Sequence, residues 1–527
     1  MGSKVIKSNT YTKGELFGYL TGMFGQNLIY QVIAAGLVSY YLGSVLYIPA
    51  AAVSAIIFVA RIWDAINDPM MGTIVDKTHT KWGKCRPYLI FFPVIIGIMT
   101  ILCFVNGRYT DAEGFGKVLI VAWAAISYIM WGMLFTVCDI PLWGITSLMT
   151  EDQNDRAKIL GLARIAAIVG GIGTIITFIP DMFKGMFEGK YQAMIGTNGY
   201  TEAMAIDDTK KAAWIFTVII FTVIGTVFFQ IAGLVTRERV PGDAEDKRGI
   251  IDNFKIMWNC LPFRQILISG VLRSPLQLLM ILAMPLAMYY FLDNDTNNIG
   301  NGSDSLLLLK VGLIAIAVFG AQFVASAITP GLVKKHENRK IYNFYTIAGA
   351  VPYALIFVAY KVSGGNLTTL PWSIVLAVLI GLAAASMGGI NVMQSIMIAD
   401  CVDYEEYHKG YRPDGVFFSG QSFLTKLAGG IAALIQGLVY TVVHFSGDNL
   451  AKINNTLATT DTHFYELDGG KYAAAMFFLI SLPIAVGMIL SALPMKNYAM
   501  TDAEHEEMLE ELVARRENAK AENTTEE

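Results

Sequence analysis

Twelve long apolar runs constrain this chain more than any other feature of it. Stretches bounded by charged or Gly/Pro-rich segments fall at 15–42, 47–75, 87–106, 118–148, 158–183, 212–236, 264–292, 304–333, 341–361, 368–399, 414–444 and 471–495. Each is long enough to cross a bilayer as an α-helix, which takes about 20 residues. In hydrocarbon the backbone amides find no water, so a spanning run must pair them internally, and a bundle of helices follows. Twelve such helices use about 240 to 300 residues, which leaves little of the 527-residue chain for a soluble domain. Composition agrees, with 54% hydrophobic and 16% charged residues where a soluble domain carries about 25% charged. A soluble globular enzyme is thereby excluded. The formal charge of −4 offers no basic surface for nucleic acid. Five cysteines, odd in number and without a C-x-x-C pair, indicate free thiols and no disulfide framework or zinc site. The run from Leu16 to Leu42 exceeds a signal-peptide core and lacks a small-residue cleavage site, so it is expected to stay as the first helix.

Short cytoplasmic loops are enriched in Lys and Arg. The N-terminus, the even-to-odd connections and the C-terminal tail together hold 25 of these residues, the opposite side nine, and the spans five. Both termini are therefore expected in the cytoplasm. The longest cytoplasmic connection, 237–263, contains Pro241, Gly242 and a mixed-charge run, and reads as a linker between six-helix halves at 1–236 and 264–495. Residues 496–527 form a charged tail, expected to be a solvated helix that frays at its end.

Ionisable groups inside spans cost at least about 2.5 to 3.5 kcal/mol each at the helix centre, so they need partners, water or a purpose. The densest cluster is Arg61-Ile-Trp63-Asp64-Ala-Ile-Asn67-Asp68-Pro69 on the second span. Asp64 and Asp68 stand four apart, so both carboxylates leave one face of the helix with Asn67 beside them. Like charges that close are relieved by a bound monovalent cation or a shared proton. Na+ wants the oxygen ligands that two carboxylates, an amide and a hydroxyl supply. The alternative is that Arg61 and other bases neutralise the pair structurally. On the fourth span Thr136, Asp139 and Trp143 share a stripe. A carboxylate that accepts hydroxyls beside a flat apolar ring suits a sugar. Counter-charges are Arg164 on the fifth span and Lys426 on the eleventh, whereas Lys310, near the start of its span, is expected to snorkel. No nucleophile elbow, metal-spaced His pair or P-loop is present.

Two six-helix halves with basic 2–3 and 8–9 loops (Asp76-Lys77, Gly83-Lys84-x-Arg86-Pro87; Lys334-Lys335, Arg339-Lys340) resemble the major facilitator architecture, which binds substrate at the midplane. Added to these, the second-span motif, Trp131-Gly132 with Asp139-Ile-Pro-Leu-Trp143, and Asp400-Cys-Val-Asp403-Tyr-Glu-Glu-Tyr407 closely resemble the glycoside-pentoside-hexuronide:cation symporter family. The resemblance implies an all-α membrane protein of twelve helices that couples sugar uptake to Na+, or to H+ or Li+. It implies a cation site of Asp64, Asn67, Asp68 and Thr136, and a sugar site of Asp139, Trp143 and Arg164, with Lys426 between them. Asp400, Asp403, Tyr404 and Tyr407 would close the inner gate, or else form a surface charge network that ends the tenth helix. One departure is Asn27, which stands where the melibiose permeases of the family have a second sugar-binding carboxylate. Arg273 lies about nine residues into the seventh span. Facing the cavity, it would favour an anionic sugar; otherwise it is a structural pair. The expected partners are a sugar and membrane lipid, without nucleic acid or cofactor, for a monomer in the plasma membrane. A lysolipid symporter and a non-transporting receptor are the other readings.

Overall fold

The computed structural model describes residues 11–525, apart from 77, 79, 151–158, 160–161, 164, 168, 172–175, 198, 240–249, 295–305, 334 and 411–413. Among the described residues the regular structure is helical, with one isolated antiparallel bridge between Thr80 and Gly83. Among the described residues ten helices are long and apolar enough to cross a membrane. The first and fifth expected spans are not among these ten. The first is helical from Lys13 to Ser44 but changes winding at Val32; the fifth includes 158, 160–161, 164, 168 and 172–175, which lie outside the described residues.

The chain divides into two compact units, one of residues 1–246 with 294–297 and 440–462, the other of the remainder. In the first, α1 (Lys13–Gln31) starts at a capping box in which Thr12 accepts from the Glu15 amide and Glu15 accepts from the Thr12 amide. It continues as a π-helix, Val32–Tyr41. Then come α2 (Ala50–Asp76), α3 (Arg86–Phe104), α4 (Phe115–Met149), α5 (Pro180–Gln192) and α6 (Glu202–Val235). Lipid tails are as apolar as leucine, so burial alone does not bring such helices together, and close packing of small residues must. Gly18, Gly22 and Gly25 of α1 meet Val235, Ala232 and Gly225 of α6; a Cβ added at Gly25 would lie 2.5 Å from the Gly225 carbonyl oxygen.

The chain just after α6 fastens the helix ends instead of starting a free linker. The Glu238 carboxylate accepts from the amides of Lys84, Cys85 and Arg86, at 2.7, 2.8 and 3.0 Å, where α3 begins. An anion there meets the unpaired N–H groups and the positive end of the helix dipole. Arg239 donates to both carboxylate oxygens of Glu15 at 2.9 and 2.8 Å.

The second unit holds α7 (Ile250–Asn259), α8 (Leu261–Leu272), α9 (Leu278–Pro285), α10 (Leu307–Val333), α11 (Asn338–Val362), α12 (Leu370–Lys409) and most of α13 (Asp414–Val442). A 3-10 turn, Ser274–Gln277, joins α8 to α9, and a second π segment, Leu286–Phe291, follows α9. The helix α14 (Gly447–Thr459) packs with the first unit, where Asn454 donates to the Ser44 carbonyl. Returning to the second unit, α15 (Lys471–Leu479), α16 (Leu482–Met495) and the tail helix α17 (Asp502–Thr525) complete the chain. Ile316, Phe319 and Phe323 of α10 are exposed along one stripe, the surface a spanning helix offers to lipid.

The tail departs from the expectation of a solvated helix. Leu512 is buried, Asp502 accepts from the Asn338 amide, and His505 Nε2 lies 3.2 Å from Asp403 Oδ2. Tyr407 donates to Glu511, and Arg515 covers the Tyr407 ring. These contacts are spaced along the helix so that a high charge content coexists with one docked face.

Candidate functional site

The site grows from the packing of α2 on α4. Gly132 leaves room for a carboxylate: a Cβ there would come within 3.1 Å of Asp64 Oδ1. One turn on, the Thr136 hydroxyl lies 3.1 Å from both Asp68 Oδ1 and the Gly132 carbonyl oxygen. Arg61 sits 3.3 Å from Asp64 Oδ2 and also contacts the Tyr30 hydroxyl. Asn67 is buried, and its Nδ2 has no hydrogen-bond partner. An unpaired amide is costly in a dry interior. Turned through 180°, the same amide presents oxygen at that place, where a cation supplies what no protein group does. Asp64, Asn67, Asp68 and Thr136 are thus gathered between two helices. Among the described residues no group of three or more His, Cys, Asp and Glu is placed to hold a metal ion, and the donor set here is two carboxylates with neutral oxygens.

Beside it lies a second polar chain. Gln26 of α1 donates from Nε2 to Asp139 Oδ1 at 2.8 Å, and its Oε1 accepts from Asn27 Nδ2 at 2.7 Å. Asn27 also donates to the Met23 carbonyl. Asp139 and Asn27, singled out from sequence, are therefore linked through Gln26, which sequence reasoning passed over. The signal was present as an amide pair in an apolar run. Trp143 is half-buried one turn beyond Asp139. Trp131 is structural: its indole donates to Thr100 and stacks on Phe135 at 4.8 Å. Arg164 lies outside the described residues.

In the second unit Arg273 is buried at the α8 break, donating to the Tyr342 hydroxyl and to Gln394 Oε1. Lys426 is half-buried on α13. Asp400 accepts from Asn338 Nδ2, while His505 lies between Asp400 and Asp403 at 3.9 and 3.2 Å. The His505 pKa is raised above its ordinary 6.5, chiefly by the hydrogen bond to Asp403 and further by the nearby charge of Asp400. His505 is thus a member of the Asp400–Tyr407 cluster that the sequence did not reveal, because it is 102 residues away from Asp403.

The fold is that of membrane transporters. A variant of the nucleoside transporter NupG superposes with a TM-score of 0.57 at 13% identity, covering 92% of this chain and all of its own. A bacterial homologue of the human lysosomal transporter Spinster gives 0.52 at 12% identity, over 94% and 95%. Residues 18–502 match the MFS/sugar transport protein family. The chain belongs to that family, in its glycoside-pentoside-hexuronide:cation symporter branch, and is a transporter and not an enzyme. Similar curated proteins include an isoprimeverose transporter of Lactiplantibacillus pentosus, 26% identical over 83% of this chain and 82% of its own. The glucuronide carrier protein homolog of Escherichia coli (strain K12) is 28% identical over 80% and 83%. The inner membrane symporter YicJ of the same organism is 24% identical over 94% and 93%.

Proposed function

We propose that the chain imports a glycoside or small oligosaccharide with Na+, H+ or Li+ being the alternative coupling ions, by alternating access in the plasma membrane. The observation that carries this reading is the donor set of Asp64, Asn67, Asp68 and Thr136, with its unpaired amide, adjoining the Asn27–Gln26–Asp139 chain. Cation and sugar then share helices α2, α4 and α1, so occupancy of one site shapes the other, which is what coupling requires. In this reading Asp139 accepts sugar hydroxyls, Trp143 stacks on the C–H face, and Asn27 is a neutral contact. Arg164 donates from the fifth span, and Lys426 replaces the cation's charge when it leaves. The two halves, 1–236 and 264–495, move about the 237–263 connection. Both termini face the cytoplasm.

The relatives named for isoprimeverose and for a glucuronide support carbohydrate cargo. Neutral glycoside is the first choice, because Arg273 is already occupied by Tyr342 and Gln394. A hexuronide is the second reading, supported by the amides Gln26 and Asn27 in place of a further acid. Uptake into proteoliposomes tests the whole: sugar accumulates only with an imposed Na+ or H+ gradient. Gradient-independent equilibration would reject symport, binding without flux would indicate a receptor, and accumulation of a lysolipid alone would reject the sugar.

A further inference from the structure

A pocket away from the transport site opens between α5 and α6, with a volume of 440 Å³. Phe187, Ile215, Phe216 and Ile219 form its apolar wall, and Asp208 and Lys211 its polar end. The wall is a built one: Phe183 and Phe187 meet the Phe216 ring at centroid distances of 5.1 and 5.9 Å, holding α5 against α6.

The sequence of α6 fixes the depth of this pocket. Its first ten residues, 202–211, carry Glu202, Asp207, Asp208, Lys210 and Lys211, and no charged residue follows before Val235. Lys211 therefore stands at the boundary of the hydrocarbon. Below it Ile215, Ile219, Val223 and Val227 repeat every four residues on one face, and the last three are exposed. The pocket is thus open sideways onto a lipid-facing stripe. From Lys211 to Val223 that stripe runs about 18 Å at 1.5 Å per residue, the depth of one leaflet. On α5 Met182 and Met186 are also exposed, as expected of a helix lying at the interface.

The charges at the rim are of unequal standing. Asp208 is held by Arg108 at 3.2 Å and by the Tyr200 hydroxyl at 2.6 Å, so its carboxylate is fixed in place with acceptor capacity left over. Lys211, one turn along the same helix, has no hydrogen-bond partner among the described residues. A fixed anion and an open cation one turn apart match a headgroup in which phosphate and ammonium are joined by a two-carbon link. We propose that this pocket binds one phospholipid with a primary-amine headgroup: its phosphate meets Lys211, its ammonium donates to Asp208, and an acyl chain lies along Ile215, Ile219 and Val223. A quaternary amine has the charge but no N–H to give, and a glycerol headgroup has neither.

Lipid binding at this pocket depends on neither the cargo nor the coupling ion. The full-length protein in detergent is offered phosphatidylethanolamine, phosphatidylcholine and phosphatidylglycerol at equal concentration, and bound lipid is counted by native mass spectrometry. Phosphatidylethanolamine should be retained about tenfold or more over the other two, the worth of one charge-assisted hydrogen bond. Lys211→Met should lower the retention of all three lipids, because the phosphate it meets is common to them. Ile219→Trp, which fills the groove from a lipid-exposed position, should abolish retention while the lipid-free melting temperature stays at the wild-type value. Equal retention of all three lipids, a preference for phosphatidylglycerol, or retention unchanged in both variants would overturn the proposal.

Discussion

At the residue scale, the candidate site depends on two positions that carry no charge. Gly132→Ala puts a methyl carbon 3.1 Å from Asp64 Oδ1, closer than an ordinary contact, so that carboxylate has to shift by a few tenths of an ångström within the donor set. With Na+ as the proposed coupling ion, the expected result is a loss of its affinity of about tenfold, the order expected when one ionic ligand is displaced, read as Na+-dependent thermal stabilisation, with cation-independent sugar binding retained. Gln26→Ala acts on the other half of the site by releasing Asp139 and Asn27 from each other. Sugar affinity should fall roughly fivefold or more, as for one lost buried hydrogen bond, while Na+ affinity is unchanged. A fall in both would show that Gln26 supports the helices and not the sugar. These two residues mark the limit of what was legible in the sequence. Asp64, Asp68 and Asp139 announce themselves, since a carboxylate in an apolar run is expensive enough to need a reason. An amide costs far less, and glycine is common in membrane helices, so neither Gln26 nor Gly132 stands out until the backbone brings it against an acid.

At the element scale, apolar length gave the spans but not their winding. The first span keeps its hydrophobic character through residue 41, yet its hydrogen bonding changes from α to π at Val32, and nothing in the composition marks the change. Packing partners were equally hidden: the glycines of α1 are spaced for close approach, but only the structure shows that α6 is what approaches. Gly25→Val should therefore be severe, because overpacking typically costs about 1 to 3 kcal/mol and the nearest obstacle is rigid backbone at 2.5 Å. A lowered melting temperature and poor recovery from detergent would be the readout; wild-type melting would refute the contact. The tail helix offers a test by pH. His505 has its pKa raised in the folded state by Asp403 and Asp400. Its contribution to docking is complete below its ordinary value of 6.5 and is lost as pH rises through the raised one. Protection against hydrogen exchange along α17, taken relative to the intrinsic exchange rate at each pH, should fall across that range, and His505→Ala should be weakly protected at every pH. A wild-type tail equally protected at low and high pH would show that the docking rests on Leu512 and the other contacts alone.

At the scale of the whole molecule, each unit has its own core, but the first borrows pieces from distant sequence. Lys210 is buried against Tyr40 and Asn294, and Tyr47 and Ser44 receive Asn454. A fragment of residues 1–243 keeps the Glu238 and Arg239 fastenings and lacks Asn294 and Asn454. It should exchange amides at wild-type rates near Lys84–Arg86 and faster around Tyr40 and Tyr47, because a buried ammonium left without its amide partner loosens its surroundings. Uniform protection of the fragment would contradict this division. The π segments reach further. An i→i+5 turn houses one residue more than an α turn, and both segments, Val32–Tyr41 and Leu286–Phe291, contain a Tyr-Tyr pair, at 40–41 and 289–290. A gene that had lost a single codon inside the first segment would still encode a helix of unbroken hydrophobicity. Everything beyond the deletion would be turned by about 100°, however, carrying Tyr40 away from Lys210 and Tyr41 away from Trp214. Inheritance through this stretch is therefore sensitive to length where it is tolerant of letters: many apolar substitutions should survive there, and one-residue insertions or deletions should be purged.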